Sequence, residues 1–235
     1  MRQGLIAQLF ASIKKRGLRE TVAYLAHELY FDHRYKSDTH KIVEVEDYED
    51  VQASTKDHSQ RYQAVPYYFL KRAYSRFAGD VKESVFLDYG CGKGRTMMLA
   101  LDWGAAKVYG IDFSPLLCGI CSENLQSLEL GRGASFVVEN QDATTYEIPT
   151  DVNCMFFFHP FGEPVLRQVF ERIRETLTRN SRKITVLYYN PVFEDLFVET
   201  GIFVLRERIR QRNSEDDLSI LVHDPSSSGH THREH

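Results

Sequence analysis

The densest concentration of chemistry-bearing residues is the run Phe86-Leu87-Asp88-Tyr89-Gly90-Cys91-Gly92-Lys93-Gly94-Arg95. Glycines at 90, 92 and 94 let the main chain turn tightly and let a ligand approach it closely. Asp88, two places before the first glycine, adds a carboxylate suited to an ammonium group. A dinucleotide fingerprint, Gly-x-Gly-x-x-Gly, would need glycine at position 95, where this chain carries arginine. The pattern therefore disfavours a pyrophosphate ligand, and with it a nicotinamide-dependent oxidoreductase. Asp112 lies 22 positions beyond Gly90 and ends the apolar run 107–111. A carboxylate at that point can accept both hydroxyls of a ribose, and Phe113 beside it offers a ring to an adenine face. Gln141-Asp142-Ala143 follows the next apolar run, 134–138, with Asp142 as an acceptor for an adenine amino group. Each acid alone reads as a cap or a solvated loop residue. Three of them after three successive strands read as a site for a nucleoside that also carries an ammonium group.

These residues need elements to hold them. Apolar runs at 84–88, 107–111, 134–138, 152–158 and 183–189 alternate with helical periodicity at 94–103, 115–130, 163–179 and 193–200. That alternation predicts βαβ units and a parallel sheet covered on both faces. Two further strands, 202–211 and 217–223, are joined by Asn213-Ser214-Glu215-Asp216, too short for a crossover helix, so they form an antiparallel hairpin. Ahead of the sheet, Leu5, Ile6, Leu9, Phe10 and Ile13 place a helix over 2–16. A second, over 18–30, is expected to turn Leu18, Val22, Leu25 and Leu29 inward. Residues 31–60 read as irregular, and a further helix starts at Pro66 and ends near Gly79. The chain thus divides into an N-terminal helical cap or lid (1–80), a ligand-binding sheet domain (81–223) and a flexible tail (224–235).

Asp88-Tyr89-Gly90-Cys91-Gly92-Lys93-Gly94, with Asp112 and Asp142, resembles the class I S-adenosylmethionine-dependent methyltransferase superfamily over residues 84–223. The resemblance implies an α/β, Rossmann-like seven-stranded sheet of order 3-2-1-4-5-7-6 with its last strand antiparallel. It also implies S-adenosylmethionine as cofactor and S-adenosylhomocysteine as product. On this reading Asp88, Tyr89, Gly90, Cys91, Gly92 and Gly94 receive the methionine end, Asp112 the ribose, and Phe113, Asp142 and Ala143 the adenine. Phe31-Asp32 through Asp38-Thr39, then Tyr62 to Pro66, looks like the leader of a bacterial branch of unsettled substrate, which makes Tyr62 a lid contact.

Phe158-His159-Pro160-Phe161-Gly162 occupies the place where amino-group methyltransferases carry Asn/Asp-Pro-Pro-Tyr/Phe. Histidine cannot copy an amide oxygen, but its neutral ring accepts a proton near pH 7. Two roles are open to His159: general base for the acceptor, or a structural residue at the start of helix 163–179. Because the motif is altered, a non-catalytic nucleoside-binding protein is the rival reading. Asn190-Pro191, after the fifth strand, is a turn signal first and a substrate contact second. Cys118 and Cys121 follow the cap pair Ser114-Pro115, so they belong inside a helix as packing residues, and no metal site is expected.

Bulk properties set outer bounds. The 235 residues are 43% hydrophobic and 26% charged, ordinary for a folded domain. The formal charge of −4 argues against non-specific nucleic-acid binding, which needs many cations facing phosphate. A small-molecule or protein acceptor is favoured over nucleic acid. No apolar run reaches membrane-spanning length, and four cysteines make no disulfide framework, so a cytoplasmic location is expected. Arg206, Arg208, Arg210 and Arg212 alternate, and on a regular strand would share one face, either as a charged edge or as an anion-binding surface.

Overall fold

Strands buried on both faces read as unbroken apolar runs, and those of this chain assemble into one sheet. The computed structural model describes residues 12–14, 17–37, 39, 63–129, 133–158, 162–211 and 217–226. Its strands are β1 (Val85–Tyr89), β2 (Lys107–Asp112), β3 (Ser135–Asn140), β4 (Cys154–Phe158), β5 (Ile184–Tyr189), β6 (Val204–Ile209) and β7 (Leu218–His223). They form a seven-stranded sheet of order β3-β2-β1-β4-β5-β7-β6, as the family resemblance implies. Strands β1 to β5 pair in parallel, and β7 runs antiparallel to both β5 and β6.

The helices are α1 (Leu18–Tyr35), α2 (Tyr67–Ala73), α3 (Ala78–Val81), α4 (Arg95–Asp102), α5 (Pro115–Gln126), α6 (Glu163–Arg179) and α7 (Glu194–Glu199). Side chains of β1 alternate between the two sheet faces. Phe86 joins a core with Phe31, Leu70, Phe77, Met98 and Phe156, under α1 to α5. Leu87 and Tyr89 join the opposite core with Phe157, Leu166, Phe170 and Phe197, under α6 and α7. Alternation therefore puts the Asp88 carboxyl on the α1–α5 side. Gly110 lies across from Asp88 in the β1–β2 register, and a Cβ there would come within 2.8 Å of the Cys91 Cβ. The sheet and the glycine-rich turn are thus packed directly onto each other.

The N-terminal region departs from the sequence expectation in three ways. Helix α1 continues to Tyr35, past residue 30, and ends where Lys36 adopts a left-handed conformation with φ 50°. Its aliphatic stripe faces outward: Leu18, Val22, Leu25 and Leu29 are exposed, Leu29 by 72%. The inward face is instead Thr21, Glu28, Phe31, Asp32 and Tyr35, because an aromatic cluster and a buried arginine lie beneath it. Phe31 is fully buried, its ring 4.5 Å from Tyr35 and 5.3 Å from Tyr67. Finally, the helix expected from Pro66 to Gly79 is broken. Pro66 caps α2, a single 3-10 turn spans Tyr74–Arg76, and α3 carries on through Gly79. In urea titrations, Leu29→Gln should shift stability by less than about 0.5 kcal/mol, while Phe31→Ala should cost about 3–5 kcal/mol.

The arginine stripe is also broken. A register shift between Leu205 and Glu207 interrupts edge strand β6, so the arginines no longer share one face. Arg206 pairs with Asp80 of α3 at 2.6 Å, while Arg208 meets Glu194 of α7 at 3.5 Å and Asp217 at 3.1 Å. Both are spent on ion pairs at a charged edge, rather than presented as a row to an anion. Arg212 lies outside the described residues.

Candidate active site

The strand ends determine the site. The turn after β1 is tied to β2 through its amides: Gly90 and Cys91 both donate to the Ile111 carbonyl, at 2.9 and 3.0 Å. Gly92 N–H donates to Asp112 Oδ2 at 3.0 Å, and Ser114 N–H to Asp112 Oδ1 at 2.9 Å. Asp112, the last residue of β2, is thus held in place by the turn it faces, and each oxygen keeps a further lone pair for a ligand. Gly90, Gly92 and Gly94 have φ of 74°, 53° and 84°, the left-handed region that glycine enters without strain. At Gly94, which caps α4, a Cβ would also meet Cys121 Sγ at 2.6 Å.

Asp88 and Asp112 lie one strand apart and are both buried. Burial, reinforced by the Asp112 charge, pushes the Asp88 carboxyl up to about 8. Burial likewise raises Asp112, to about 6, and the Ser114 and Gly92 amides oppose that rise. No hydrogen bond to the Asp88 carboxyl occurs among the described residues. A buried acid without a partner is costly when ionised, and the raised value keeps Asp88 protonated near neutral pH.

The remaining predicted residues fall into three groups. Phe113 and Ala143 are half-buried at the strand ends, beside Asp112 and Asp142. Tyr89 and Cys91 turn their side chains into the core. The Tyr89 ring is fully buried, stacked on Phe157 at 4.8 Å. The Cys91 thiol is pushed well up, by the neighbouring Cys118 and Cys121 thiols and by burial, and stays a protonated packing group. Asp142 is exposed and caps its own turn, accepting from Thr144 N–H and Oγ1, each at 2.8 Å. His159 and Tyr62 lie outside the described residues.

Cys118 and Cys121 are buried in α5, as their place behind Ser114-Pro115 suggested. Cys118 Sγ donates to the Asp112 carbonyl at 3.5 Å, and Cys121 Sγ lies 3.7 Å from Met97 Sδ. Ser114 caps α5 by accepting from Leu117 N–H. Asn190 takes a left-handed φ of 49° at the end of β5. With Pro191, Val192, Glu194, Asp195 and Arg208 it lines a cavity of about 300 Å³. Two residues were missed from sequence. Asn140, at the end of β3, donates to the Asp112 carbonyl at 3.0 Å, and a lone Asn at a strand end carries no signal of that. Arg95 is buried beneath α1; the acids Glu28 and Asp32, four apart on one helix face, were the available signal.

A mostly parallel sheet with a glycine turn after β1, and acids where β1 and β2 end, defines a Rossmann-like nucleoside-binding domain. Residues 86–180 match the methyltransferase-domain family, in line with the resemblance to the class I S-adenosylmethionine-dependent methyltransferase superfamily. Among solved structures it is similar to a candidate methyltransferase from Escherichia coli, with 17% identity and a TM-score of 0.52 over 70% of this chain and 92% of that one. A candidate RNA methyltransferase from Pyrococcus horikoshii is similar at 19% identity and a TM-score of 0.51, covering 75% of this chain and 90% of that one. Both likenesses concern the fold. No curated protein matches the chain in sequence.

Proposed function

We propose that the chain binds S-adenosylmethionine at the β1–β3 strand ends and transfers its methyl group to a small molecule or a protein side chain. The observation that carries this reading is Asp88, a buried carboxyl with no hydrogen-bond partner among the described residues, beside a turn of open glycines. An ammonium group beside main-chain amides suits that position. Asp88 places the amine and the main chain of Tyr89 to Gly92 receives the methionine end. Asp112 accepts the ribose hydroxyls, while Phe113, Asp142 and Ala143 border the adenine. Tyr62 and His159 are assigned to the entrance and to the acceptor's proton. When bound, the cofactor supplies an activated methyl: the nucleophile–carbon bond forms as the sulfur–carbon bond breaks, the electron pair stays on sulfur, and the nucleophile loses its proton. The protein's part is to align the two reactants and exclude water.

Calorimetric titration with S-adenosylmethionine, S-adenosylhomocysteine and NADH, on protein cleared of carried-through ligand, tests the reading. Micromolar binding of both sulfur nucleosides and none of NADH is expected. Binding of NADH alone would sink it. The altered residues at 159–162 favour one rival, a nucleoside-binding protein without turnover. Transfer of a labelled methyl group to candidate acceptors, RNA among them, separates the two.

A further inference from the structure

The N-terminal segment and the glycine turn meet at one side chain. Arg95 is the first residue of α4, directly after Gly94, and is only 2% exposed. Its guanidinium lies 4.7 Å from the centre of the Phe31 ring. Nε donates to Thr39 Oγ1 at 2.9 Å, and Nη1 donates to the Val65 carbonyl at 3.1 Å and to Glu28 of α1. Asp32 stands 3.8 Å from Nη2 and accepts from Thr39 Oγ1 at 2.8 Å. The second oxygen of Glu28 accepts from Tyr67 N–H at 2.8 Å, at the start of α2. One buried cation therefore gathers α1, Thr39, Val65 and the first turn of α2 onto the end of the glycine turn.

Such a cluster is a poor way to gain stability, because desolvating the charges offsets most of their attraction, and an apolar packing would serve as well. What it supplies is geometry. A planar fork with several donors fixes the direction of each partner, which a methylene contact does not. The opposite side of the turn is held by Asp112 through Gly92 N–H. Among the described residues, two further polar ties between α1 and the sheet domain are peripheral. Arg34 pairs with Asp102 at the far end of α4, where both side chains are over a third exposed, and Ser127 reaches the Tyr35 carbonyl at 3.5 Å.

We propose that Arg95 is a positioning residue for the cofactor: it clamps the N-terminal segment onto the glycine turn and so sets the turn's geometry for the methionine end. The inference rests on the cofactor reading above. Arg95→Lys keeps the charge and loses the fork. Glu28→Gln and Thr39→Val each remove one arm, and Arg34→Ala is the control for a peripheral tie. Each folded variant is titrated with S-adenosylhomocysteine by calorimetry, alongside thermal midpoints and amide exchange across residues 65–73.

Arg95→Lys and Glu28→Gln should weaken binding by about tenfold or more, non-additively when combined, with Arg34→Ala unchanged. Bound ligand should slow exchange at 65–73 in the wild type and less so in these variants. A scaffold role alone would lower the midpoints and leave the affinity of the folded protein where it was, and that result overturns the proposal. If Arg95→Lys does not fold, Thr39→Val decides, since it removes one neutral hydroxyl, with its bonds to Arg95 and Asp32, and leaves the charges in place: unchanged affinity there counts against the clamp. Wild-type protein that binds no S-adenosylhomocysteine overturns the cofactor reading, and the clamp with it. Wild-type binding with unchanged variants overturns the clamp alone.

Discussion

S-Adenosylhomocysteine should bind more tightly as pH rises from 6.5 to 8, by about fifteenfold, and release close to one proton per site at the lower pH. The cause is Asp88, whose carboxyl is raised to about 8 by burial and by the Asp112 charge, against an ordinary value near 4. Between those values the ligand-free protein keeps the proton. An ammonium group favours the carboxylate, so binding expels the proton, and the apparent affinity climbs until pH passes about 8. Asp112 is already ionised over most of this window, being raised only to about 6. The same shift sets the stability of the ligand-free protein. Because its folded value is raised, Asp88 stabilises below about pH 4, and that contribution is lost as pH rises towards 8, by up to about 1.4 kcal/mol per unit. Asp88→Asn should flatten both dependences. It should raise the thermal midpoint of the ligand-free protein at pH 8 and weaken binding there by about ten- to a hundredfold. Calorimetry in two buffers of different ionisation enthalpy reads the proton directly. A pH-independent affinity with no proton exchange would remove Asp88 from the ligand's amine.

Asp112→Ala should weaken cofactor binding by about tenfold to a few hundredfold, measured by titration at pH 8. The side chain has two duties. It accepts from the Gly92 and Ser114 amides, and in the proposed complex its remaining lone pairs accept from the ribose hydroxyls. Alanine removes the acceptor and also leaves two buried N–H groups unpaired, at about 1–3 kcal/mol each. Stability and affinity should therefore fall together. Asp112→Asn, which keeps one oxygen but sets an NH2 against one of the amides, should fall between alanine and the wild type. Unchanged affinity in the alanine variant would take Asp112 out of the site.

What the sequence by itself determined was local and periodic. The unbroken apolar runs, the alternation of strand and helix, and the short Asn213–Asp216 connection specify parallel units and a closing hairpin. Strand and helix periods are properties of neighbouring residues. The same holds for the glycines at 90, 92 and 94, whose positive φ a tight turn requires, and for Asp112, whose place at the end of β2 follows from the run before it. Tertiary structure decided which face of an element is buried. The stripe Leu18, Val22, Leu25 and Leu29 reads as a core face. Yet Phe31, Tyr35 and the acids that hold Arg95 turn α1 the other way, because the aromatic cluster fills the space beneath it and a buried guanidinium left unpaired is costly. On β6 one bulge separates arginines that strict alternation would align. Asp88 is unremarkable as a letter in a motif; burial one strand away from a second acid makes it a proton-linked site. Those outcomes depend on residues distant in sequence, Asp112 for Asp88, Arg95 for Glu28 and β7 for β6, and no local pattern carries the distance between them.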